Sequence, residues 1–173
     1  QDVLAGRYDL GIVTEPMRHP DLEVTPWHRE PLCLVVPADF TGTGLADLMG
    51  IGFISYFDGL NHASALLRGN FPREFRSMSH FRRQGFTNEV GMVLDAVARG
   101  LGFTVVSRPV LETSPWQRQV KAMELPVAVH GTLYHVTRTG SEMPRRYVRL
   151  LEDFREQRRM ALHGYGDPTE VGS

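Results

Sequence analysis

Residues 89–107 read EVGMVLDAVARGLGFTVVS, and this stretch decides the fold class. Val90, Val93, Leu94, Val97 and Leu101 follow the i, i+3, i+4, i+7 spacing of an amphipathic helix over Glu89–Arg99. Thr87 or Asn88 is available as its N-cap, and Gly100 as its stop, because glycine readily takes the left-handed conformation that ends helices. Phe103–Ser107 then reads as a strand. Gly100-Leu101-Gly102 has the glycines of a nucleotide fingerprint but the wrong order, since that loop runs from strand to helix and carries a third glycine. Here it is a tight helix-to-strand turn, which is half of an α/β unit.

Working outward, Gly52–Tyr56 (GFISY) is predicted as a strand, with a helix over His62–Arg68 and a further strand around Phe75–Phe81. Near the N-terminus, Asp2–Gly6 reads like the end of a helix and Asp9–Thr14 (DLGIVT) like a short buried strand. Leu22–Trp27 alternates loosely, whereas Leu32–Val36 is continuously apolar, as suits a strand covered on both faces in a mostly parallel sheet. Gly42–Gly44 breaks the chain before a short helix at Leu45–Met49. Pro109 begins a short helix or turn, and Pro126–Val129 and Thr132–Thr137 are extended. Pro144–Gln157 is the last helix, with proline in its first turn and Tyr147, Leu150, Leu151 and Phe154 as one stripe. Glycine and polar residues predict a flexible tail over 161–173. Strands alternating with helices imply α/β architecture with a largely parallel sheet.

The bulk properties fit one domain or two small lobes. Of 173 residues, 42% are hydrophobic and 23% charged, a soluble globular composition. A net charge of −1 leaves no basic field for nucleic acid. The arginines at 145, 146, 149, 155, 158 and 159 share one helix with Glu152, Asp153 and Glu156, the pattern of a solvated mixed-charge face. Cys33 is the single cysteine, set in apolar sequence, so no internal disulfide forms and a reducing cytoplasm fits. No apolar run approaches the roughly 20 residues of a membrane span, so no membrane partner is expected. Gln1 opens the chain without an initiator methionine, as a fragment would.

Catalytic signatures are missing. The seven histidines are scattered, and His130 and His135 fall on opposite faces of a continuous strand, so no metal is expected. No Gly-x-Ser-x-Gly elbow and no phosphate loop occur, and Cys33 lacks the polar setting that activates a thiol. Neither an enzyme nor a cofactor is called for. Polar residues do gather where strands turn into helices, at Thr14–Glu15, Ser55–Asp58 and Gln84–Asn88. In open α/β sheets ligands sit at those carboxyl ends, where free helix N–H groups favour carboxylates. Tyr56, Phe57, Phe86 and Phe103 are candidates for an apolar wall, and Arg82, Arg83 and Arg108 for anion partners.

Three segments together resemble the effector-binding domain of LysR-type transcriptional regulators. Leu4-Ala5-Gly6-Arg7-Tyr8-Asp9-Leu10-Gly11-Ile12-Val13 is similar to that family's helix-to-strand passage. Glu30-Pro31-Leu32-Cys33-Leu34-Val35-Val36-Pro37 is similar to its crossover strand, with Leu45-Ala46-Asp47-Leu48 as the short helix after it. Val97, Gly100, Gly102 and Thr104-Val105-Val106 match its helix-turn-strand. Two departures stand out: Ser107 replaces a common proline, and Asp39-Phe40-Thr41 replaces the usual His-Pro-Leu.

The resemblance implies two Rossmann-like lobes joined by two crossover strands, like a periplasmic solute-binding protein of type 2, with the first βα unit missing. Lobe one would comprise residues 1–29 and 131–160, and lobe two residues 30–130. Between them a small-molecule effector, expected to be a small organic acid, would contact Thr14, Ser55, Tyr56, Phe57, Asn88 and Val90, with Val106 and Ser107 as the floor. DNA would be reached only through an N-terminal helix-turn-helix absent from this sequence, and the intact regulator would be a homodimer or homotetramer. A free-standing periplasmic-type solute-binding protein is the alternative reading, and a small α/β enzyme a third.

Overall fold

The apolar run at 32–36 lies inside one long strand, β2 (Leu22–Pro37), rather than in the second of two short ones. Pro26 and Pro31 do not break it, because proline's fixed φ is compatible with extended backbone. The computed structural model describes residues 2–163. They form two units, the first running up to His28 and resuming at Thr132, the second spanning Arg29–Gly131. The tail expected over 161–173 is helical to His163 and otherwise lies outside the described residues.

In the second unit β2 is followed by α1 (Leu45–Ile51), β3 (Phe53–Ser55), α2 (Gly59–Asn70), β4 (Arg83–Phe86), α3 (Val90–Ala98), β5 (Thr104–Ser107), α4 (Arg108–Glu112) and β6 (Val120–Ala122). Strand alternation explains its core. Leu32, Leu34 and Val36 pack with Leu45 and Leu48 of α1 and Ala63, Leu66 and Leu67 of α2. Cys33 and Val35 point the other way, into Val93, Leu94 and Val97 of α3. Helices cover both faces, and hence every residue of the run is apolar.

The expectation of a largely parallel sheet is corrected. β2 runs antiparallel to β5, with Cys33 opposite Val106, and antiparallel to β6, with Val36 opposite Lys121. β3 pairs parallel with β4, and Phe53 forms a parallel bridge with Phe103. Burial on two faces says that a strand is covered, but not which way it runs. β2 enters from the first unit without a crossover helix, so the βαβ rule does not set its direction.

The join between β3 and β5 needs two glycines. Ile54 N donates to Phe103 O (2.8 Å) and Phe103 N to Gly52 O (2.9 Å). Gly102 has φ +154°, and a Cβ there would lie 2.6 Å from Gly52 O. The turn read at 100–102 therefore serves backbone-to-backbone approach.

Other readings shift. Phe75–Phe81 is not a strand: Met78–His80 forms a 3₁₀ turn capped by Ser77, whose Oγ accepts from Ser79 N (3.2 Å). Phe75 precedes the turn and Phe81 caps its end, their rings 6.3 Å apart and both buried in the core. Residues 126–129 form no strand either, whereas β6, with Lys121 at its centre, had no apolar signal.

The first unit contains β1 (Gly11–Val13), the start of β2, β7 (His130–Arg138) and α5 (Arg145–His163). β1 pairs antiparallel with β7, Ile12 opposite His135, and β7 neighbours β2. β1 was expected to be buried, yet Ile12 is 50% exposed. α5 is fastened by Arg155, which donates to Trp27 O (2.9 Å), by Phe154 against the Trp27 ring (5.3 Å), and by Tyr147 bonding Asp9 (3.3 Å).

Candidate functional site

In the second unit the ends of β3 and β4 and the start of α3 are tied together. Ser55 lies opposite Phe86, and Thr87 N donates to Ser55 O (3.0 Å). Thr87 Oγ1 then accepts from Glu89 N (3.1 Å), which turns the chain into α3. The N-cap is Glu89, two residues after Thr87 and one after Asn88, and its side chain makes no capping bond. Met92 N donates back to Glu89 O (3.1 Å), so the N–H groups of Val90 and Gly91 are the ones that open the helix, and the helix dipole favours an anion there. Asn88 is exposed just before this turn and Val90 opens the helix.

The four aromatic candidates separate into two pairs. Phe57 and Phe86 are 82% and 68% exposed; Phe57 lies two residues past β3 and Phe86 is the last residue of β4. Tyr56 and Phe103 are buried in the two halves of the core. Tyr56 OH bonds His62 Nδ1 of α2 (2.8 Å), and burial, helped by the Asp58 charge, pushes its pKa upward. Ser55 is buried, its Oγ donating to Tyr56 O (3.1 Å).

Val106 is fully buried at the end of β5, and Ser107, also buried, precedes α4 as its N-cap. Thr14 belongs to the first unit, directly after β1, and is half-buried. Arg82 and Arg83 are exposed, while Arg108 approaches Glu112 at 3.9 Å. The edge built from Ser55, Phe57, Phe86, Asn88 and Val90 combines helix N–H donors with exposed apolar side chains. Chemically it suits a carboxylate with an apolar body.

A cavity of about 590 Å³ in the second unit was not foreseen. It lies between residues 31–34 of β2 and the segment 122–129, with Leu66 and Arg108 on its walls. Its outer wall is irregular backbone, which periodicity cannot announce. Among the described residues no group of side chains is arranged to hold a metal, and no helix is long and apolar enough to cross a membrane.

A family model described as LysR substrate binding domain matches residues 1–159. No curated protein matches the chain by sequence. Solved structures do. The regulatory domain of CcmR from Synechocystis PCC6803, in complex with 2-PG, superposes with a TM-score of 0.64 at 19% identity, over 87% of this chain and 74% of that one. The effector binding domain of QuiR in complex with shikimate gives 0.64 at 15%, over 89% and 73%. An H2O2-bound cysteine-to-serine variant of OxyR from Corynebacterium glutamicum gives 0.72 at 16%, over 99% of this chain and 57% of that one. This chain spans little more than half of that longer regulator. At such identities the likeness is one of fold.

Proposed function

The chain belongs to the LysR substrate binding domain family, and from that premise we propose that it is the effector-sensing domain of a transcriptional regulator, binding a small organic acid. The observation that carries this reading is the edge of the second unit where the open N-terminus of α3 meets exposed Phe57 and Phe86. It offers N–H groups to an oxyanion and apolar surface to the rest of the molecule. The ligands named for two similar domains, 2-PG and shikimate, support a small polar effector, shikimate being a carboxylate.

The contacts assigned are Thr14, Ser55, Tyr56, Phe57, Asn88, Val90, Val106 and Ser107, with Val106 and the buried Tyr56 ring shaping the site from beneath. Lobe one is assigned to residues 1–29 with 131–160 and lobe two to 30–130. An effector changes the regulator only if it prefers one arrangement of its parts over another. DNA reading then falls to a separate helix-turn-helix, in a cytoplasmic homodimer or homotetramer. The buried free thiol of Cys33 accords with a reducing compartment.

A thermal-shift series with small carboxylates and aromatic acids tests the reading, because a ligand of the native state raises the midpoint in proportion to ln(1 + [L]/Kd). A dose-dependent rise for one chemical family is expected. Thr14→Ala with Asn88→Ala should weaken that ligand at least about tenfold while stability stays within about 1–2 kcal/mol. Unchanged affinity in the double variant removes the site assignment, and silence from every acid removes the ligand class.

A further inference from the structure

The whole-chain charge of −1 conceals a local excess in the second unit. Residues 71–84 read FPREFRSMSHFRRQ, with Arg73, Arg76, Arg82 and Arg83 against a single carboxylate, Glu74. All four arginines are exposed, and among the described residues none of their side chains is paired with a carboxylate. Arg99, Arg108 and Arg146, by contrast, each approach one.

The fold holds this segment as one surface. Phe75 and Phe81 are its anchors, buried with their rings 6.3 Å apart and with Phe81 against Phe103 (5.4 Å). The ring pair draws Arg76 and Arg82, each next to an anchor, to the same stretch of surface. Between them Ser79 and His80 are exposed on the 3₁₀ turn. The Arg82 backbone is fixed as well, since its carbonyl accepts from Phe53 N (2.9 Å). Arg83 opens β4, whereas the edge assigned to the effector lies at the other end of that strand.

The character of this surface selects its partner. Protein interfaces are built around an apolar core. No large apolar side chain from 71 to 85 is exposed, Phe71 and Met78 being partly buried against the core. Single-stranded nucleic acid is held by exposed aromatic rings on which bases stack, and Phe75 and Phe81 face inward. What remains is arginine with hydroxyl and imidazole groups alongside, the donor set that holds the phosphates of a duplex. A duplex carries one negative charge per about 1.7 Å of axis, so several guanidinium groups engage it without a fixed register.

We propose that the 71–84 face of the second unit binds the phosphate backbone of duplex DNA, whatever its sequence, through Arg73, Arg76, Arg82 and Arg83. The face shares no residue with the effector site and needs no effector, so it stands or falls separately from that assignment.

Fluorescence anisotropy of a labelled duplex of about 20 base pairs and arbitrary sequence, titrated with the whole chain, tests this. At about 20 mM salt, half-saturation below about 100 μM is expected, and log affinity should fall with log salt at a slope of about −3, as for three or four neutralised phosphates. Arg76→Gln with Arg82→Gln should weaken binding about tenfold or more and flatten the slope by about two. Glu74→Gln should tighten it. Arg145→Gln with Arg149→Gln removes the same charge from α5 and should leave affinity within about twofold. No saturable binding up to about 500 μM chain at that salt overturns the proposal. So do equal losses in the two double variants, which would mean that net charge alone is felt. Labelled poly-glutamate of equal charge bound as tightly as the duplex would give the face to an acidic protein, and tighter binding of the single strand would give it to unpaired nucleic acid. Either result refutes the duplex.

Discussion

Asn70, the last residue of α2, pairs with a backbone as a strand would. Its Nδ2 donates to Val127 O (3.0 Å), its Oδ1 accepts from Val127 N (2.9 Å), and Nδ2 also donates to Leu66 O (3.0 Å). The segment 126–129, which forms no ladder of its own, is held against the second unit by this side chain and by Leu32 N donating to Val129 O (2.9 Å). Asn70→Ala leaves both backbone groups of Val127 without these partners. A loss of about 1–3 kcal/mol in urea unfolding is expected, and a change below about 0.5 kcal/mol would show that water replaces the amide. Nothing in the sequence around Asn70 or Val127 announces a contact fifty-seven positions apart. Ser55 and Asn88, by contrast, were legible from their places at strand and helix ends. That Tyr56 turns inward while Phe57 stays out was not legible, because it depends on His62 lying one helix away.

Elements with a strong period were read well and elements without one were not. α3 emerged from its apolar spacing, and Val93, Leu94 and Val97 are fully buried as that spacing requires. The ends of the pattern were over-read: Val90 is 37% and Leu101 53% exposed. Leu94→Ala should cost about 2–5 kcal/mol, since it opens a cavity against β2, whereas Leu101→Ala should stay within about 0.5 kcal/mol. Equal losses in chemical denaturation would mean that Leu101 is packed after all. The 3₁₀ turn at Met78–His80 was misread because an apolar residue every third position fits neither the two-residue nor the 3.6-residue period. β6 went unseen because three residues with a lysine at the centre carry no pattern at all.

At the scale of the whole molecule, Cys33 and Tyr56 make stability fall on the alkaline side. Burial raises the Cys33 thiol above its ordinary value, with nearby Arg108 opposing the shift and Glu112 adding to it, and burial likewise raises Tyr56. Well below about pH 8.5 the Cys33 thiol is protonated in both folded and unfolded chains, so it adds no pH dependence there. As pH rises further the unfolded thiol ionises first, and stability falls until the folded thiol follows. Tyr56 extends the decline above about pH 10. Urea midpoints should therefore drop between about pH 8 and 10, and the slope should flatten in Cys33→Ala even though that variant is weaker throughout. An equal slope in both proteins would show that another group sets the limit. Fold class was legible at this scale because alternation of strand and helix is a property of the whole chain. Strand direction was not, since it depends on where the chain has come from.

β2 runs unbroken from Leu22 to Pro37 through both units. Its side-chain alternation therefore has a single phase, like a reading frame. One residue gained or lost near Arg29 would keep one half in frame and invert the other, sending Leu32, Leu34 and Val36 toward the face now held by Cys33 and Val35. A loop absorbs changes of length freely; a paired strand takes an extra residue only as a bulge. Within each half, β2 is easier to respell than to lengthen.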